Sequence, residues 1–257
     1  MVLIAGRPAD QAAILSAYPA GGIEQAILTK MFDSSHSYRY DSVNQLSFEL
    51  RMRKEIISAS YGLNSSGMSF RTFRNVKANP HYWQITREGG WLLKPGASAS
   101  QAINDIFTNG RAYGTECATA MVIIYYKALA NIFPPAVFDR LFPRIELMNW
   151  HHIDRRLREI GLMSSGGEFL PGDRLYIRNP DVNPETPQWQ GENVIDLGGG
   201  RYYGHGMGIS DIPTIIEALN RNRAPGASQS AYLMQSVGRP DFKSLANLYA
   251  SAVPAAA

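Results

Sequence analysis

Apolar and polar positions change their period several times along this chain, and the longest apolar run falls near its middle. Val43, Leu46, Leu50, Ile56, Ile57 and Ala59 recur at helical spacing, which predicts an amphipathic helix capped by Asp41 or Ser42 and stopped at Gly62. Glu49, Arg51, Arg53, Lys54 and Glu55 are expected on its polar face. Residues 82–86 and 89–93 flank a turn at 87–90 and predict a hairpin. A helix opening at Ser98 or Ser100 should close at Asn109 and Gly110. The run 117–133 is almost wholly apolar and ends at Pro134 and Pro135.

Beyond the prolines, residues 144–150, 174–178, 193–197 and 201–205 read as strands. Asp211 and Pro213 open a further helix to about Leu219, and 241–249 predicts a last one before a frayed alanine-rich tail. The first forty residues carry Pro8 and turn signals at 19–22 and 33–36, so an irregular segment with one helical patch at 11–17 is expected there. Helices come first and strands later, a segregation that predicts an α+β fold.

Composition changes this picture little. The 257 residues show no linker or compositional break, so one domain spanning 1–257 is expected, with 237–257 as its C-terminal helix and tail. Hydrophobic content of 45% with 18% charge describes a globular chain. The net charge of +3 is not concentrated, because the cluster at 154–159 is bracketed by acids, and no nucleic-acid partner is implied. Lys127 interrupts the apolar run, which is too short for a membrane span. The start lacks the pattern of a signal peptide, and a single cysteine can form no internal disulfide, so cytoplasmic synthesis is expected.

Candidate chemistry centres on that cysteine. Cys117 opens the apolar helix after Gly114, Thr115 and Glu116, where unsatisfied N–H groups and the helix dipole favour thiolate. Glu192 and His205 follow it at strand positions, in the order nucleophile, base, orienting group that papain-like enzymes use. Taken singly, each has a plainer reading: a buried cysteine, a strand-end carboxylate and a packed histidine. Residues 181–185 lack the glycine and terminal glutamate of a calcium loop, and His151 and His152 should point apart on a strand, so neither a metal nor a cofactor is expected. The glycines around His205 lack the strand–helix setting of a dinucleotide site.

Residues 116–120 with 122–126, 189–195, 205–209 and 229–233, in that order, together resemble the small spore-coat transglutaminase family of Bacillus and relatives. The likeness runs from about Asp41 to Gln235 and departs from the family in the first forty residues, the loop at 164–168 and the tail. The resemblance implies a calcium-independent protein-glutamine γ-glutamyltransferase with a papain-like core, its cysteine-bearing helix packed on an antiparallel sheet. It makes Cys117 the nucleophile, Glu192 and Glu116 the acid/base candidates and His205 an orienting or structural residue. Trp189, Trp150, Phe70 and Asn193 become the expected substrate contacts. The implied partners are proteins bearing reactive glutamine and lysine, spore-coat proteins among them. Two rival readings fit the same residues: a cysteine peptidase or amidase with His205 as base and water as acceptor, and a non-catalytic coat scaffold with Cys117 buried.

Overall fold

The structure, a computed structural model, describes residues 1–166 and 168–253. Its first forty residues are not irregular. They form β1 (Val2–Ile4), β2 (Arg7–Pro8), α1 (Gln11–Ser16), α2 (Ile23–Asp33) and β3 (Tyr38–Tyr40). Strand β1 pairs antiparallel with β2 and parallel with β3. Strands of two or three residues are too short for alternation to register in a sequence, and here long-range burial holds them. Val2, Ile27, Leu28, Met31 and Tyr40 close a small core with Leu46 and Leu50 of the next helix.

That helix, α3 (Val43–Ser65), is capped by Ser42, whose Oγ accepts from the Gln45 N–H. It runs through Gly62 rather than stopping there. Gly62 packs against Phe107, where a Cβ would sit 3.3 Å from the ring, and the chain leaves the helix only near Gly67, at φ +82. The expected polar face needs a second correction, because Glu49 and Arg53 are buried. Arg53 pairs with Glu49 at 2.8 Å and with Asp173 at 2.8 Å, while Arg239 reaches Asp173 at 2.6 Å and the Tyr40 hydroxyl donates to Glu49 at 2.8 Å. Pairing of this kind offsets the cost of burying these charges.

The chain continues through β4 (Ser69–Phe70), the expected hairpin β5 (Trp83–Ile85) and β6 (Trp91–Leu93), and α4 (Ala99–Thr108), capped by Ser98. Then come β7 (Gly114–Thr115), α5 (Cys117–Ile132), α6 (Pro135–Leu141) and β8 (Glu146–Leu147). The prolines that end α5 also start α6, with Pro135 at its first position, where no intrahelical donor is needed. Only two residues of the expected strand at 144–150 are extended in a sheet, and His152 takes a left-handed φ of +59, so His151 and His152 do not share a strand.

The remaining elements are β9 (Ser164–Ser165), β10 (Arg174–Arg178), β11 (Gly191–Gly198), β12 (Arg201–Gly204), β13 (Gly208–Ser210), α7 (Ile212–Asn220), β14 (Tyr232–Leu233), β15 (Ser236–Val237) and α8 (Phe242–Ala252). Asp211 and Asp241 cap the last two helices. Residues 254–257 of the tail expected to fray lie outside the described residues. The main sheet is antiparallel, in the order β13-β12-β11-β10-β14.

Helices α5 and α3 pack against each other and both reach this sheet. Ile195, Leu197 and Tyr203 of the sheet join Met121, Val122, Ile123, Ile124, Tyr125 and Tyr126 in one core, and α7 covers the other face over Leu175, Ile177 and Val194. Burying a side chain of this size is worth roughly 1.5–3 kcal/mol, so six consecutive buried positions fix the helix and hence the residue at its N-terminus. The architecture is α+β. No helix among the described residues is long and apolar enough to cross a membrane.

Candidate active site

Cys117 is the first residue of α5, at the floor of a cavity of about 560 Å³. Phe70, Phe73, Trp150 and Met163 give the cavity apolar walls, and Glu116, Arg174, Tyr176 and Asn193 give it polar points. The cysteine is half-buried, with its accessible edge toward this space.

Both Glu116 oxygens are committed to the start of the helix. Oε2 accepts from the Ala118 N–H at 2.6 Å, and Oε1 accepts from the Thr119 N–H at 2.6 Å and from the Thr119 hydroxyl. Thr119 Oγ1 in turn accepts from the Asn149 N–H at 2.7 Å, which ties the helix tip to the segment carrying Trp150. Glu116 therefore sets the position of the sulfur whatever else it does.

Neighbouring residues of β11 supply two further groups. Asn193 lies opposite Tyr176 on β10, and its Nδ2 donates to Cys117 Sγ at 3.8 Å. Glu192 is 5% exposed, and its Oε1 has no hydrogen-bond partner among the described residues. Burial, and then the charge of Glu116, push the Glu192 carboxyl well above the usual range, against the pull of the His205 backbone N–H. The Cys117 thiol is also pushed up, first by burial and then by Glu192 and Glu116, with Asn193 opposing. The direction is opposite to the lowering expected from the helix terminus, because desolvation and two nearby carboxylates both disfavour the thiolate.

His205 is buried, and its Nδ1 lies 3.1 Å from the Tyr203 hydroxyl. Burial lowers its pKa to about 4, and the nearby carbonyls of Ser69 and Thr115 only partly oppose this. Neither completes a hydrogen bond to Nε2. The ring is thus neutral near pH 7 and a weak base, and its centroid sits 6.2 Å from that of Phe70 on the cavity wall.

The structure brings Cys117, Glu116, Asn193, Phe70 and Trp150 to one cavity; Glu192 does not line it but lies near enough to Cys117 for its charge to raise the thiol. Trp189 is not among the lining residues. It packs toward the apolar cluster under α7, and the adjacent Pro187, Gln188 and Gln190 form that part of the rim. The short 3₁₀ turn at Pro187–Trp189 rotates the indole away, a local geometry that sequence spacing does not reveal. Sequence reasoning missed Arg174 and Tyr176. Their signal was alternation in a short strand, where both share a face and pair with Ile195 and Asn193 of β11.

Among the described residues no group of three or more His, Cys, Asp or Glu side chains is arranged to hold a metal ion.

A family model described as protein-glutamine gamma-glutamyltransferase matches residues 1–249. A protein of that name from Bacillus cereus (strain B4264) is 41% identical over 254 residues, covering 98% of this chain and 91% of its own. One from Bacillus anthracis (strain CDC 684 / NRRL 3495) is 42% identical over 243 residues, covering 94% and 87%. A solved transglutaminase from Geobacillus stearothermophilus, without its C-terminal extension, superposes with a TM-score of 0.75 at 45% identity, covering 79% of this chain and 96% of that one.

Proposed function

Since the chain belongs to the protein-glutamine γ-glutamyltransferase family, we propose that it joins proteins by ε-(γ-glutamyl)lysine bonds through a thioester on Cys117. The observation that carries this reading is the placement of one half-buried cysteine at a helix tip, with a donor at its sulfur and, close enough to raise the thiol, a buried carboxyl with one oxygen free of hydrogen bonds.

Glu192 takes the thiol proton as Cys117 Sγ attacks the carboxamide carbon of a substrate glutamine. The carbonyl becomes an oxyanion, for which Asn193 Nδ2 and the Cys117 backbone N–H are the nearby donors. As the C–N bond breaks, the same proton passes from Glu192 to the leaving amide nitrogen and ammonia departs. A lysine amine then attacks the thioester, its proton goes to Glu192, and the sulfur leaves as thiolate to be reprotonated. An unperturbed carboxylate and thiol differ by about 4 units, a cost of nearly 6 kcal/mol for resting proton transfer. Raising Glu192 lowers that cost, and raising the thiol adds to it, so the proton stays on sulfur until substrate arrives.

The apolar walls favour an amine acceptor over water by excluding bulk solvent from the thioester. A Cys at a helix tip against an antiparallel sheet supports a papain-like core for residues 1–257 as one catalytic unit. The low basicity of His205 argues against the peptidase alternative, which needs it as base. Spore-coat proteins are the proposed substrates on the strength of the sequence resemblance, and calcium is not required in this reading.

The test is incorporation of a tagged primary amine into an unstructured glutamine-bearing protein with chelator present. The wild type should label it and Cys117→Ala should not. Equal labelling by both overturns the proposal.

A further inference from the structure

We propose that Arg174 is a positioning residue for transfer, a buried guanidinium that fixes the Asn193 carboxamide with its N–H toward Cys117 and supplies the positive charge facing the thiolate. This deepens the transferase reading and rests on it.

Arg174 opens β10 and is 2% exposed. One terminal nitrogen donates to Asn193 Oδ1 at 2.8 Å, and the other to the carbonyls of Ile160 at 2.9 Å and Leu162 at 3.0 Å. The Trp150 ring lies 4.2 Å from the guanidinium carbon, and the Gly238 backbone packs against the same group, where a Cβ would come within 2.6 Å of the nitrogen. The cation is held by three hydrogen bonds, an aromatic face and a bare backbone.

A guanidinium donates and never accepts. The Asn193 atom facing it must therefore be oxygen, which leaves the NH₂ to face the sulfur. Without Arg174 the amide could turn and set a carbonyl oxygen against the thiolate, an acceptor opposed to an anion.

The second line of argument is charge. Among the described residues Arg174 has no carboxylate within 4.0 Å, unlike Arg53, which is buried beside two. An unpaired buried cation is costly, and a neutral donor would satisfy Asn193 Oδ1 equally well. The cation instead faces the cavity that holds Cys117, and its anionic counterpart forms there when the thiol loses its proton. Burial lowers the Arg174 pKa, with Tyr125 and Cys117 opposing in that order. Lysine would bring charge without the fork that reaches three acceptors.

The experiment compares wild type, Arg174→Met, Arg174→Lys, Asn193→Ala and the Met/Ala double variant. It uses iodoacetamide alkylation of the sole cysteine against pH, together with kcat and KM for amine incorporation. For Arg174→Met the rising limb of alkylation should move up by about one pH unit, which is about tenfold slower labelling near neutrality. Its kcat should fall about tenfold with KM within about twofold. Arg174→Lys should hold the limb near its wild-type position while kcat stays low, and it serves as the reference if the Met variant fails to fold. In the double variant the kcat loss should fall short of the product of the two single losses, because the orienting part of the Arg174 effect disappears with Asn193 while the charge part remains. An unshifted alkylation profile in Arg174→Met, wild-type kcat in Arg174→Lys, or losses that multiply in the double variant would each overturn the proposal. If the wild type fails to incorporate amine, the transfer reading falls, while the alkylation comparison still reports on Arg174.

Discussion

Gly204 faces the carboxylate of Glu192 across the sheet so closely that a Cβ there would lie 2.9 Å from Oε1 and 3.1 Å from Cγ. The glycine leaves room for a buried carboxyl that has no other partner at that oxygen. Gly204→Ala should push the carboxyl off its position near Cys117 and lower kcat by about tenfold or more. The cost in stability should be about 1–3 kcal/mol, the range for overpacking. Steady-state kinetics and thermal melts check both, and wild-type kcat in a folded variant would show that the placement of Glu192 is not needed.

Replacing each glutamate by glutamine separates two roles. Glu192→Gln should remove nearly all amine incorporation with little loss of stability, because it removes a buried ionisable group rather than a paired one. Glu116→Gln should keep measurable turnover and lose about 1 kcal/mol with its helix cap. The reverse ranking in activity would transfer the role of principal base to Glu116.

His205 predicts an acid-sensitive window. Its folded pKa near 4 lies below an unfolded value of about 6.5, so between these the unfolded state binds the extra proton and folding stability falls as pH falls. The full effect is about 3 kcal/mol. Glu192, raised by burial, acts in the opposite sense, losing stability as pH rises above its unfolded value near 4.5. Comparing melts of wild type and His205→Gln from pH 7 to pH 4 isolates the first effect. The wild type should lose stability relative to the variant over that range, and parallel curves would refute the assignment.

Asp173 accepts from Arg53, from both nitrogens it meets on Arg239 and from the Leu170 N–H. It precedes Arg174 at the start of β10, so this ion cluster anchors the strand that carries Arg174 and Tyr176. Asp173→Ala removes the carboxylate shared by two cations, leaving the buried Arg53 with Glu49 alone and Arg239 without an ion-pair partner, and should cost about 3–5 kcal/mol. Denaturant unfolding measures it, and a loss below about 1 kcal/mol would mean the cluster is not structural.

Several parts of this molecule were legible before any coordinates. Ser98, Asp211 and Asp241 announce helices because capping is a local exchange between a side chain and an N–H a few residues away. The hairpin at Trp83–Leu93 was legible for a similar reason, since its partners are adjacent in sequence. Trp189 shows the opposite case, where proximity to Glu192 in sequence did not place its ring in the cavity.

The sequence alone determined the α+β class, the apolar helix, the position of its cysteine and, through motif order, the family. Those depend on periodicity, caps and spacing, which act over a few residues. Only the tertiary structure decided that Glu49 and Arg53 are buried, that the Cys117 thiol is raised rather than lowered, and that Arg174 holds Asn193 against the sulfur. Each of these turns on desolvation and on contacts between segments far apart in the chain, as with Arg53 and Asp173 or Cys117 and Asn193. No local pattern encodes how much water a group loses when the chain closes over it.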